Sequence, residues 1–377
     1  YQSYYSLYFS IFYNLRLDMI RTFDKYFIRL FFRKILLICM IFFSLIFILT
    51  IFEEITFFSD TNSKFYLPFF LSLINAPTTL LEILPFIILI SSQLFFIEII
   101  KNKENELIKI NKLNNSYLIK LLALCSFLFG FFIVTLYYPF SSKLKFLYFD
   151  IKNIYSDDGK YLKHYNENGI WIKDEINDEI FIINGSTKKN NYLENVFITK
   201  FNKNFDIIEN IFSAKVDISS NNWILEKPTL FKNNKQIKLE ENLLLNSNFN
   251  INKINSTFRD LNSFNLFKLI NLKEENKLLG YSSQDIDLHI LKIISLPIFL
   301  SIMVIISSII MLNIKKDKTH IFHVLLGITL SVIIYFISNI FSVFGLTNKI
   351  PIYLSVFFPI ILLSIISIIG LIRINEK

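Results

Sequence analysis

The sequence predicts an α-helical integral membrane protein with six spans, three on each side of an inserted all-β, jelly-roll-like domain. Three observations carry this. Apolar runs recur near 35–52, 77–100, 117–138, 288–312, 321–344 and 351–372, each close to or beyond the roughly 20 residues that cross a bilayer. The chain of 377 residues is 53% apolar and 16% aromatic, more Phe, Ile and Leu than a soluble protein with one or two cores needs. The charges are also divided. Residues 141–287 hold 20 basic and 20 acidic side chains, so the whole net charge of +8 belongs to the membrane half and its short loops. A basic balance placed there reports orientation in a membrane and says little about nucleic acid.

Taken in order, residues 1–18 (YQSYYSLYFSIFYNLRLD) contain no Met, and Met19 opens a more ordinary membrane-protein N-terminus. They read as a segment before the true start, or as disorder. They do not form a signal peptide, since a basic n-region and a small-residue cleavage site are missing. Residues 19–140 hold an interfacial helix and the first three spans. Between Thr22 and Lys34, Phe23, Tyr26, Phe27, Leu30 and Phe31 share one helical face, opposite Lys25, Arg29 and Arg33. That is an amphipathic helix in the interface leading into the first span, or else an extension of that span. The second span begins among prolines (Pro77, Pro85), carries the acid Glu82, and runs without a turn signal into a mixed-charge elbow at about 101–116. The prolines either kink this helix or mark its first turn.

Residues 141–287 differ in kind. Short β-rich stretches at 169–173, 179–184, 195–201, 212–218, 222–226 and 236–245 are punctuated by Asn pairs, a spacing expected of a sandwich or jelly roll. Asn184-Gly185-Ser186 fits a glycosylation sequon but reads better as a turn, and Trp171 and Trp223 are expected in the core. The last three spans occupy 288–377. About fourteen Lys and Arg lie in the N-terminal segment, the elbow, the 315–318 loop and the C-terminal tail, against one in each of the two opposite loops. The positive-inside rule therefore puts both termini in the cytoplasm and the β-domain outside the inner membrane.

Chemistry-bearing motifs are sparse. Cys39 and Cys125 both fall in apolar runs and provide no disulfide framework. His320 and His323 are i, i+3 without a carboxylate or thiol neighbour, a weak metal pattern. No G-x-x-x-x-G-K-[ST] loop occurs, and the eight glycines are scattered, so the chain carries no nucleotide cofactor of its own and is not expected to hydrolyse ATP.

Four stretches together resemble the LptF/LptG permease family of lipopolysaccharide export. FDKYFIRLFF (23–32) is similar to the family's LDRYI-type segment, and LEILPFIILISSQLFF (81–96) with NELIKINKLNNS (105–116) to its proline-bearing second span and elbow. NGIWIKDEINDEIFI (168–182) resembles the G-L-W-x-K-D opening of the LptG β-domain, and YFISNIFSVFGLTNKIPIYLSVFFP (335–359) the closing segment. Two departures stand out. Asn114 occupies the place of a frequent Gly in the elbow, and Thr50-Ile51-Phe52-Glu53-Glu54 lacks the Lys found in some members.

The resemblance implies a transport subunit, closest to LptG, that extracts lipopolysaccharide from the inner membrane. Implied partners are an LptF-like permease, an LptB-type ATPase dimer that binds the ATP, and an LptC-type periplasmic bridge protein. It implies that Glu106, with Glu104, Lys109 and Asn114, forms the ATPase-docking coupling helix. It also implies that Tyr335, Ser338 and Asn339 of the fifth span, with Thr50 and Glu53 of the first, line the cavity or its gate; Glu82, an acid within the second span, is a further candidate. Helix–helix hydrogen bonding, snorkelling or pairing with a Lys are the plainer readings of those polar residues. Two alternatives stay open: an LptF-type paralogue or exporter of another amphiphile, and a non-transporting scaffold anchoring a periplasmic β-domain.

Overall fold

The computed structural model describes residues 2–59, 64–102, 115–155, 169–177, 179–189, 191–232, 235–257, 259–278, 281–312 and 320–375. The chain divides into a membrane unit (1–56, 68–140, 287–377) and an inserted unit (57–67, 141–286). Among the described residues six helices are long and apolar enough to cross a membrane.

In the membrane unit the first helix, α1 (Gln2–Phe58), is continuous. No Gly or Pro interrupts it, so the amphipathic stretch and the first span are one rod. Phe27, Leu30 and Phe31 face inward while Lys25, Arg29 and Arg33 stay outside; Tyr26, at the margin of the stripe, points outward as well. The expected second span is two helices, α2 (Leu67–Glu82) and α3 (Leu84–Lys101), broken at Ile83. Pro85 sits in the first turn of α3, where its missing N–H costs nothing. Pro77 lies inside α2.

Helix α4 (Asn115–Phe132) passes through a π-helical turn at Ile133–Tyr137 into α5 (Tyr138–Tyr155). Pro139 clashes with an ordinary helical carbonyl four residues earlier, and one widened turn absorbs that clash without ending the helix. Residues 141–155 are therefore helical, so the rod continues into the segment assigned to the inserted domain, ahead of its first expected strand at 169–173.

Two further helices of the inserted unit, α6 (Ile251–Thr257) and α7 (Leu266–Leu278), were likewise unforeseen. Then come α8 (Gln284–Leu312), α9 (His320–Leu346) and α10 (Ile352–Asn375). The membrane core gathers Phe31, Leu89, Phe95, Phe96, Leu300 and Met303. Helices α4 and α8 meet at a small residue: a Cβ on Gly130 would stand 2.6 Å from the Pro297 Cα. Close approach at small residues is how membrane helices gain packing without a hydrophobic driving force.

The inserted unit is a curled antiparallel sheet. Its strands are β1 (Ile170–Ile176), β2 (Glu179–Lys189), β3 (Tyr192–Phe201), β4 (Ile207–Asp217), β5 (Asn222–Leu225), β6 (Thr229–Lys232), β7 (Lys235–Lys238) and β8 (Leu243–Asn246). The order is β1-β2-β3-β4-β5-β8, with β6 on β4 and β7 on β6. Alternate residues such as Ile172, Ile183, Val196, Ile198 and Val216 fill one core, as period-two strands with one wet face require.

The expected stretch 236–245 splits into β7 and β8, and β6 was not foreseen. Asn184-Gly185-Ser186 is mid-strand, not a turn: Gly185 pairs with Ile170 and Val196. Trp223 is fully buried and donates its indole N–H to the Phe249 carbonyl at 2.7 Å. Trp171, expected in the core, lies on the outer face at 55% exposure. Strand alternation fixes which residues share a face, and only tertiary closure decides which face is covered.

Candidate functional site

The elbow residues Glu104, Glu106, Lys109 and Asn114 lie outside the described residues. The helix ends on either side of them are described, and both are tied to α1. At the end of α3, Glu98 forms an ion pair with Lys34, the two side chains being 25% and 14% exposed. At the start of α4, the Tyr117 hydroxyl meets both carboxylate oxygens of Asp24 at 3.0 Å. The chain that leaves at Lys101 and returns at Asn115 is thus held at both mounts by the same helix. Aromatic contacts stiffen this region: Phe95 packs edge-on against Phe27 and Phe31, both of α1. Charge-assisted contacts of this kind are short and geometrically specific.

Sequence reasoning passed over Asp24, Lys34, Glu98 and Tyr117. The available signal was charge inside apolar runs. An acid at the end of one span and a base within another are costly there unless paired.

The remaining candidates are scattered. Thr50 is buried, and its hydroxyl donates back to the Ile46 carbonyl at 2.9 Å, so it satisfies its own helix. Glu53 is exposed, while its neighbour Glu54 is buried. Glu82 is exposed at the last position of α2, within electrostatic reach of Lys292 on α8. Tyr335 is 59% exposed, with Ser338 and Asn339 partly covered on the same helix, α9. Ser338 lends its carbonyl to the Ser342 hydroxyl at 2.8 Å. Thr50 and Glu53 thus stand on α1, Glu82 on α2, and Tyr335, Ser338 and Asn339 on α9.

A polar contact deeper in the unit joins α3 to α9. Fully buried Gln93 donates its amide to the His323 carbonyl at 3.0 Å, and its side chain fills the notch left by Gly327. No group of His, Cys, Asp and Glu suited to a metal occurs among the described residues; the His320 side chain lies outside them. Helices α3 and α8 are the covered ones, with 61% and 56% of their most apolar windows buried, whereas α1 and α9 have 22% each. Of the six spans, α1 and α9 are thus the least covered in their most apolar windows.

A family model described as lipopolysaccharide export system permease LptF/LptG matches residues 25–373. No curated protein matches the chain.

Proposed function

The chain belongs to the LptF/LptG family of lipopolysaccharide export permeases, and from that premise we propose that it is the LptG-type subunit of the complex. It is a multi-pass inner-membrane protein and a transport subunit. In this reading it pairs with an LptF-type permease, and an LptB-type ATPase dimer binds the ATP and grips the elbow at about 101–116. The observation that carries the reading is the double mounting of that elbow on α1 through Lys34–Glu98 and Asp24–Tyr117. A push on the elbow is delivered to α1, one of the two spans whose most apolar windows are least covered by this chain. ATP can move the gate only by favouring different contacts in two states, and these mounts are where such a difference would enter.

The little-covered windows of α1 and α9 suit a cavity completed by a second permease. Lipid would enter sideways past Tyr335, Ser338 and Asn339. The excess of Lys and Arg in the elbow, the termini and the 315–318 loop supports cytoplasmic termini and a periplasmic inserted unit, which would pass acyl chains to an LptC-type bridge protein. The G-I-W-I-K-D segment at 169–174 favours LptG over LptF.

The test is reconstitution with the partner permease and ATPase, comparing wild type with Glu106→Lys. Assembly and lipopolysaccharide-stimulated ATP hydrolysis should both fall in the variant. A Lys variant that assembles and stimulates hydrolysis as wild type does would overturn the docking role.

A further inference from the structure

Arg259, between α6 and α7, is a buried cation that the export reading leaves unused. The residue is 6% exposed. Its Nη2 donates to the Asp150 carboxylate at 2.6 Å, and its guanidinium carbon stands 4.0 Å from the centre of the Phe146 ring. Nη1 is buried and has no hydrogen-bond partner among the described residues. A guanidinium keeps its charge, so deprotonation cannot relieve an unmet donor. Folded chains ordinarily leave few such donors without an acceptor.

The same side chain lines a cavity of about 440 Å³, within the about 300–1,000 Å³ typical of ligand pockets. Lys268 lines it too, with its ammonium 5.3 Å from the same Phe146 ring. Cations are crowded here. Burial, and then the Arg259 charge, hold the Lys188 ammonium below its usual range. Phe264 and Leu272 give the cavity apolar wall, and Asp150 and Glu275 are its carboxylates. One face of the guanidinium is set by the ring and one edge by Asp150. Nη1 is left with N–H donors that suit an added oxyanion such as a phosphate.

We propose that this cavity binds an organic phosphate, whose oxyanion accepts from Arg259 Nη1 and Lys268. Its organic part lies on Phe264 and Leu272, and Glu275 takes a hydroxyl or amine of that part. The site stands on the inserted unit alone and does not depend on which lipid is exported.

The test is calorimetric titration of the purified full-length chain with inorganic phosphate, phosphoethanolamine, ethanolamine and dihexanoyl phosphatidylethanolamine. Saturable binding is expected for the phosphates and not for ethanolamine. Lys268→Gln, at an exposed position, should weaken phosphoethanolamine about ten-fold, the scale of one charge-assisted hydrogen bond. Arg259→Gln should abolish binding, and Glu275→Gln, also exposed, should tighten inorganic phosphate by removing a like charge. Tighter binding of the short-chain lipid than of phosphoethanolamine supports the site and assigns a membrane source, whereas equal binding supports it with a soluble one. Absence of saturable phosphate binding, binding of ethanolamine as tight as that of phosphoethanolamine, or affinities unchanged in Lys268→Gln and Arg259→Gln would overturn the proposal. Export does not enter these readouts, so failure of the permease reading would leave them unchanged.

Discussion

Asp174 closes the inserted unit, and removing its carboxylate should loosen the whole sheet. It is 1% exposed. Its oxygens accept from the Ser247 hydroxyl at 2.7 Å, and from the Asn248 backbone and side-chain nitrogens at 2.9 and 2.8 Å. They also accept from the neighbouring Glu175 N–H at 3.0 Å. Asp174 stands on β1 and its long-range donors follow β8, so these bonds join the two ends of the strand order.

Hydrogen bonds to a charged group contribute about 1.5–3 kcal/mol each, and they do not add when they share an acceptor. Asp174→Ala also strands the buried Ser247 hydroxyl. A loss of about 3 kcal/mol is therefore a conservative expectation. At a urea dependence of about 2 kcal/mol/M, the unfolding midpoint should fall by about 1.5 M.

Trp223 reports on this directly, because its indole N–H is held by Phe249, beside Asn248. In a Trp171→Phe background, which removes the exposed tryptophan, the emission of Trp223 follows the inserted unit alone. Asp174→Asn, which keeps one acceptor oxygen, should fall between wild type and Ala. A midpoint shift below about 0.3 M for Asp174→Ala would refute the reasoning, since it lies close to the scatter of the extrapolation.

Three other outcomes are expected. Lys34→Met and Glu98→Met should each lower the thermal midpoint and the ATPase stimulation of the assembled complex. The double variant should recover part of the loss through a coupling of about 1–3 kcal/mol; strictly additive effects would remove the pair from the mounting. Burial pushes the Tyr281 hydroxyl up to about 12, although its contact with the Lys173 backbone opposes the shift. Its hydroxyl accepts from the Lys173 N–H at 2.8 Å and donates to the Lys173 carbonyl at 3.2 Å; because burial favours the neutral phenol, that form stabilises the fold below pH 10 and the contribution is lost as pH rises toward about 12. The urea-midpoint difference between wild type and Tyr281→Phe should accordingly be constant below pH 10 and shrink above it. Gly130→Val should lower the thermal midpoint in detergent, at an overpacking cost of about 1–3 kcal/mol. Pro297→Ala should not restore it, because the clash is with the backbone Cα.

Six membrane-crossing helices were legible because apolar length is a local property, written in consecutive residues. The strands were legible in part for the same reason: Ile170–Ile176 and Glu179–Lys189 alternate visibly. Their outward and inward faces were not, and Trp171 was assigned to the wrong one. Helix continuation was also misread. Residues 141–155 carry enough charge to look like the start of a soluble domain, yet one π-helical turn carries the rod past Pro139. Lys34 and Glu98 are 64 positions apart, and neither looks more than incidental until α1 and α3 lie side by side.

The sequence by itself determined the membrane class, the number of spans and an inserted β-rich region, because hydrophobic length and period need no partner to be read. Tertiary structure alone decided that both mounts of the elbow grip α1, and that Asp174 fastens one end of the sheet to the other. It also decided that an arginine lies buried beside a cavity. Each of those is a contact between distant residues, whose worth depends on desolvation and geometry that no local pattern records.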